Sequence, residues 1–204
     1  MPVTRERRKS LASVSPREAG FVTGLSEKTI SQAIDRKEVE TLPARREGES
    51  ERLLGFSELV YLRLRDSVGK LLSPAGRRML REQLAEVRGK PVENVSLGAL
   101  ELAVAPEVEA VRENLALIER ARSFVTVDPE VRAGEAVVRG TRISVAMLGE
   151  LERQGATREE LLEDYPALTP ESLEAALVYA RLYPRRGRPR RAPWRDGVVL
   201  RTAP

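Results

Sequence analysis

The chain has 204 residues, room for one large domain or two small ones. It contains no histidine and no cysteine, which excludes zinc fingers, disulfides, Cys–His dyads and serine–histidine triads. Its net charge of +4 is unevenly spread: Pro184 to Pro204 carries seven arginines against Asp196 alone, about +6, and leaves the rest near −2. A uniformly basic nucleic-acid binder is therefore excluded. No catalytic residue, metal or cofactor is expected, and an enzyme is the least favoured class. No apolar run approaches membrane-spanning length and Met1–Ser10 lacks a signal-peptide core, so a cytoplasmic protein without a membrane partner is expected.

Residues 1–10 are expected to be a flexible basic leader. The next unit, 11–72, begins with Ser15-Pro16-Arg17-Glu18, which joins an N-cap, a first-turn proline and a capping-box glutamate. Thr23-Gly24-Leu25 makes a tight turn and Ser26 caps a second helix to about Lys37. Ile30, Ala33 and Ile34 form its inner face, against Ala19 and Val22. Lys28, Gln32 and Arg36 point away, with Thr29 at the flank, and such side chains hydrogen-bond base edges or phosphates. Glu27 and Asp35 on the same helix argue against that role. Val39–Leu42 and Leu53–Phe56 then bracket a loop holding Arg45, Arg46 and Arg52, a wing that would lie over the phosphate backbone, and Ser57 caps a longer helix. The candidate DNA-binding residues are thus Ser26, Lys28, Thr29, Gln32, Arg36, Lys37, Arg45, Arg46 and Arg52. SPREAGFVTGLSEKTISQAIDR and RLLGFSELVYLRL resemble the MerR-like and excisionase-like winged helix-turn-helix class.

From Leu59 to Val87 the pattern is helical, with Leu59, Val60, Leu64, Val68 and Leu71 inward and a break at Ser73-Pro74. A second helix carries Met79, Leu80, Leu84 and Val87, and Gly89-Lys90-Pro91 ends it. Leu100–Val104 alternates as a half-buried strand. Pro106 opens a helix whose Val108, Val111, Leu115 and Ile118 are either core or a dimer seam. Residues 73–122 are read as a connector.

The stretch 123–183 has the clearest punctuation. Val125–Val127 and Ala136–Val138 are short strands, and Ser144 caps a helix that ends at Gly155. Thr157 and Glu160 form a capping box. Tyr165-Pro166 stops that helix, and Thr169-Pro170 opens a last one with Leu173, Leu177 and Ala180 inward. The fold class is mainly α with short β hairpins: an N-terminal winged helix-turn-helix, then a small sheet and a three-helix, homeodomain-like unit. Residues 184–204 follow as a basic disordered tail.

TVDPEVRAGEAVVRGTRISV, together with GATREELLEDYPALTPESLEAAL, resembles the domain of unknown function 433 family. These are small bacterial modules classed as antitoxins, VapB-type components of toxin–antitoxin pairs. Glu135 stands where family members often carry a basic or polar residue, and Ser144 where proline is frequent. The resemblance implies a PIN-like ribonuclease toxin as partner, with an active site of metal-binding acids. Arginine pairs bidentately with carboxylates, so Arg188, Arg190, Arg191, Trp194 and Arg195 of the tail are the candidate toxin-binding residues. The C-terminal helices expose Glu159, Glu160, Glu163, Glu171 and Glu174, which a duplex would repel; the N-terminal unit is the better reader of operator DNA. The expected protein is an autorepressing antitoxin that forms a homodimer or higher homo-oligomer. A stand-alone dimeric regulator and an RNA- or ribosome-associated protein are the alternatives.

Overall fold

The computed structural model describes residues 13–46, 49–87 and 92–184, with backbone alone at 44–46 and 49–51. Helix α1 (Pro16–Thr23) starts with the expected reciprocal cap: the Ser15 hydroxyl accepts the Glu18 N–H, and the Glu18 carboxylate accepts the Ser15 N–H at 2.9 Å. Gly24, at φ +75°, ends it. Ser26 caps α2 (Glu27–Asp35), which packs Ile30, Ala33 and Ile34 against Ala19 and Val22, all buried.

The chain then forms an antiparallel hairpin of β1 (Leu42–Arg46) and β2 (Glu49–Leu53). Arg45, Arg46 and Arg52 therefore lie in strands, paired opposite Ser50, Glu49 and Pro43, and not in the expected loop. The ladder runs further than β propensity suggests because backbone pairing, rather than side-chain type, sets its length. Helix α3 (Phe56–Leu64) has Gly55 as its N-cap, and Ser57 sits in its first turn with the hydroxyl on Glu58. Ser57 is no cap.

A π-helical turn, Arg65–Gly69, follows. Val68 within it packs against the core as expected, whereas Leu71, also expected inside, falls in the turn beyond it and is 85% exposed. In α4 (Pro74–Val87) the buried stripe is Leu80, Leu84 and Val87, and Met79, one residue off it, is exposed. Strands β3 (Asn94–Leu97) and β4 (Leu100–Ala103) pair Val95 with Leu102, while Leu100 faces out and Val104 is buried at the start of the next helix.

That helix, α5 (Ala105–Phe124), is about 30 Å long at 1.5 Å per residue. Val108, Val111, Leu115 and Ile118 are all buried against the chain's own α1, α3 and α8, so the stripe is core. Strands β5 (Val125–Val127) and β6 (Ala136–Val138) pair antiparallel, Val125 opposite Val138. Ser144 caps α6 (Val145–Arg153), Thr157 with Glu160 caps α7 (Arg158–Asp164), and Thr169 caps α8 (Pro170–Leu182). The last helix serves two cores. Leu173 and Leu177 pack with Val138, Val145, Leu148 and Leu161, whereas Val178 and Leu182 join the core built around α1, α3 and α5. The architecture is mainly helical with three two-stranded antiparallel sheets among the described residues. None of the described helices is long and apolar enough to cross a membrane.

Candidate functional site

Along α2, Lys28, Gln32 and Arg36 recur every fourth residue and are all exposed, which puts them on one outward stripe. Ser26 is exposed as well, but its hydroxyl accepts the Thr29 N–H at 3.1 Å and lies 2.8 Å from the Thr29 hydroxyl, so both groups are occupied by the cap. The two carboxylates of this helix are each met by an arginine of the chain. Arg17 donates to Glu27 at 3.4 Å and Arg52 to Asp35 at 3.1 Å. These exposed pairs add little stability, yet they cancel the acids that would repel a phosphate backbone. Lys28 and Lys37 have no carboxylate partner among the described residues. The side chains of Arg45 and Arg46 lie outside the described residues, as do Arg188, Arg190, Arg191, Trp194 and Arg195.

The C-terminal helices have different chemistry. Glu159, Glu160, Glu163 and Glu171 are exposed and Glu174 is half-buried. Glu160 accepts the Thr157 N–H at 2.8 Å, so part of this acidity serves the helix N-terminus. A cleft of about 800 Å³ opens between the 132–136 loop and the α6–α8 pair, reaching Pro184. Arg132, Ala133 and Gly134 have φ of 48°, 55° and 78°, three consecutive left-handed residues of which only the last is glycine. Such backbone costs on the order of 1 kcal/mol per non-glycine residue and needs support. Glu135 supplies it: its carboxylate accepts from Arg132 Nε at 2.9 Å and from the Ser144 hydroxyl at 2.5 Å. Glu135 and Ser144 are thus bonded to each other. The cleft arginines have carboxylates nearby: Arg132 meets Glu135, Arg153 meets Glu150, and Arg181 lies 3.9 Å from Glu152.

A third constellation is buried where α1, α5 and the end of α8 meet. The Glu18 carboxylate, 1% exposed, accepts hydrogen bonds from Arg122, the Tyr183 hydroxyl and Ser15. Burial pushes the Glu18 carboxyl up, but the Tyr183 hydroxyl, the Ser15 N–H and the Arg122 guanidinium outweigh it and hold the group below its ordinary value. Burial and the adjacent carboxylate push the Tyr183 phenol up to about 12. In the sequence Glu18 is legible only as a capping residue, because Arg122 and Tyr183 lie 104 and 165 positions away.

Known proteins resemble parts of this chain. Residues 125–180 match the family described as "Protein of unknown function (DUF433)". Over 85 residues the chain is 36% identical to "Uncharacterized protein y4eO" of Sinorhizobium fredii (strain NBRC 101917 / NGR234). That match takes in 42% of this chain and 38% of the relative. A solved DUF433 member from Anabaena variabilis ATCC 29413 is 38% identical over 37% of this chain and 75% of its own, with a TM-score of 0.30. Rv2018 from Mycobacterium tuberculosis is 17% identical over 80% of this chain and 96% of its own, with a TM-score of 0.34.

Proposed function

We propose that this chain is the antitoxin of a type II toxin–antitoxin pair, which represses its own operon through α2 and holds a PIN-like ribonuclease through its C-terminal module and tail. In this reading α1, α2 and the β1–β2 hairpin act as a winged helix-turn-helix. The observation that carries the DNA half is the Lys28–Gln32–Arg36 stripe, exposed on a helix whose two acids are neutralised from within the chain. Support for the toxin half is the DUF433 match at 125–180 together with the arginine-rich segment after Pro184. Guanidinium groups suit a metal-binding cluster of carboxylates. Operator binding through inverted half-sites calls for a homodimer, and light scattering should return at least twice the 22.7 kDa chain mass.

The test is a pull-down of the tagged chain co-expressed with its neighbouring reading frame, with and without residues 185–204. We expect a small acidic nuclease-like protein to be captured by the full chain and lost with the truncation. Capture by both forms would move the contact onto the folded module. Capture by neither leaves the stand-alone regulator, which the α2 stripe favours by itself.

A further inference from the structure

A second basic feature lies directly beyond the C-terminal end of α2, and the winged-unit reading uses only its Arg36 and Lys37. Between that end, the π-helical turn and the start of α4 runs a groove of about 480 Å³. Arg36, Lys37, Arg65, Arg77, Arg78 and Arg81 line it, with Glu38 the only acid among its described lining residues. Glu38 is already shared: Arg65 Nε lies 3.2 Å from its carboxylate and an Arg36 nitrogen lies 4.0 Å away. Arg65 keeps Nη1 buried without an acceptor among the described residues, so its charge is only partly answered. Arg81 is held by the carbonyl oxygens of Lys37 and Glu38, at 3.4 and 3.0 Å, and by the face of Tyr61, and thus pins the end of α2 to α4. Lys37, Arg77 and Arg78 have no carboxylate partner among the described residues. The first turn of α4, where Ser73 takes the Gly76 and Arg77 N–H groups, adds the positive end of a helix dipole.

Such an excess of cations costs self-repulsion unless an anion relieves it. Its position says which anion. From Lys28 to Arg36 the stripe on α2 is about 12 Å long, close to the width of the major groove of B-DNA. A helix laid across that groove with Lys28 and Gln32 toward the bases brings Arg36 and the basic groove to the bounding strand. We propose that the α2–α4 groove is a binding site for phosphate groups of the DNA backbone, and that it anchors the duplex beside the segment read by α2. This rests on the DNA-binding reading above and extends it to residues outside the winged unit.

The full chain would be titrated against a duplex from the region upstream of its own reading frame and against a scrambled duplex, over a range of salt. In Arg78→Gln and in the Arg77→Gln/Arg78→Gln pair, we expect affinity for both duplexes to fall together. The slope of log affinity against log salt should shrink by about one per arginine removed. Arg78 is exposed and makes no ion pair among the described residues, so its variant should fold; the thermal midpoint checks this. In Gln32→Ala the loss should appear on the upstream duplex alone. If Gln32→Ala weakens that duplex while the arginine variants leave affinity and salt slope unchanged, the groove proposal fails and the DNA reading stands. If the arginine variants lose both duplexes while Gln32→Ala and Lys28→Ala change neither, the groove stands and base reading by α2 fails. If the wild-type chain binds no duplex, or the arginine variants lose only single-stranded RNA, the proposal is overturned.

Discussion

Glu18→Ala should lower the stability of the full chain by about 3 kcal/mol, at the lower end of what breaking a buried ion pair costs because Arg122 is 36% exposed. The substitution removes one half of the α1 cap, leaves Arg122 without its carboxylate, and deprives the Tyr183 hydroxyl of its acceptor. Arg122 Nε is already buried without a partner among the described residues, so the guanidinium has little to fall back on. For a chain of this size that is a fall of roughly 10 °C in the thermal midpoint. Circular dichroism melts would measure it; a loss under about 1 kcal/mol would mean that the buried carboxylate is not structurally important. The same site sets a pH window. Folded Glu18 releases its proton more readily than the unfolded chain, so its contribution is intact above the ordinary carboxyl value of 4.5 and is lost as pH falls through the lower folded value. Tyr183 works in the other direction: its contribution is intact below the ordinary phenol value of 10.0 and disappears as pH rises toward about 12. Glu18→Ala should remove the acid-side loss, and Tyr183→Phe the alkaline one.

Gly149→Ala should cost about 2 kcal/mol even though alanine is the better helix former. A Cβ added at Gly149 would sit 2.6 Å from the Cβ of Ala180, so α6 and α8 would have to separate. The methyl group of Ala180 has no rotamer with which to yield. Those helices close the second core around Leu148, Leu173 and Leu177, all essentially inaccessible, and separation would loosen that packing. The informative companion is Ala180→Gly. In the double variant the clash is gone, and most of the lost stability should return apart from the cost of glycine in α8. Without that recovery, the close approach is not what makes Gly149 necessary. The comparison is a double-mutant cycle read from denaturant midpoints.

What could be read from the sequence was local punctuation. Ser15, Ser26, Ser144, Thr157 and Thr169 all cap the helices assigned to them, since a cap is written within four residues of itself. Apolar spacing placed the faces of α2, α5 and α8 for the same reason. Helical spacing misleads where a helix stops: the segment after Leu64 ends at Gly69, and Leu71, two residues on, stands in a turn outside the core. Strand β3 was missed because Asn94-Val95-Ser96-Leu97 has one buried side chain and owes its conformation to β4. At the candidate site, the outward stripe of α2 was legible from its period, but the pairing of Glu27 with Arg17 and of Asp35 with Arg52 was not. The α2–α4 groove was also invisible, because Lys37 and Arg78 stand 41 positions apart and nothing in either neighbourhood points to the other.

The division of α8 between two cores governs how the molecule comes apart. A helix that supplies Leu173 and Leu177 to one core and Val178 and Leu182 to the other cannot unwind in one half alone. Calorimetry should therefore record a single cooperative transition, with equal van't Hoff and calorimetric enthalpies, where two independent modules would give two. A fragment cut to the matched span 125–180 would lack Leu182 and Tyr183 and would carry Val178 uncovered, an apolar surface prone to self-association. A protease that needs unfolded chain should therefore gain both cores together, and the two should be lost at one rate.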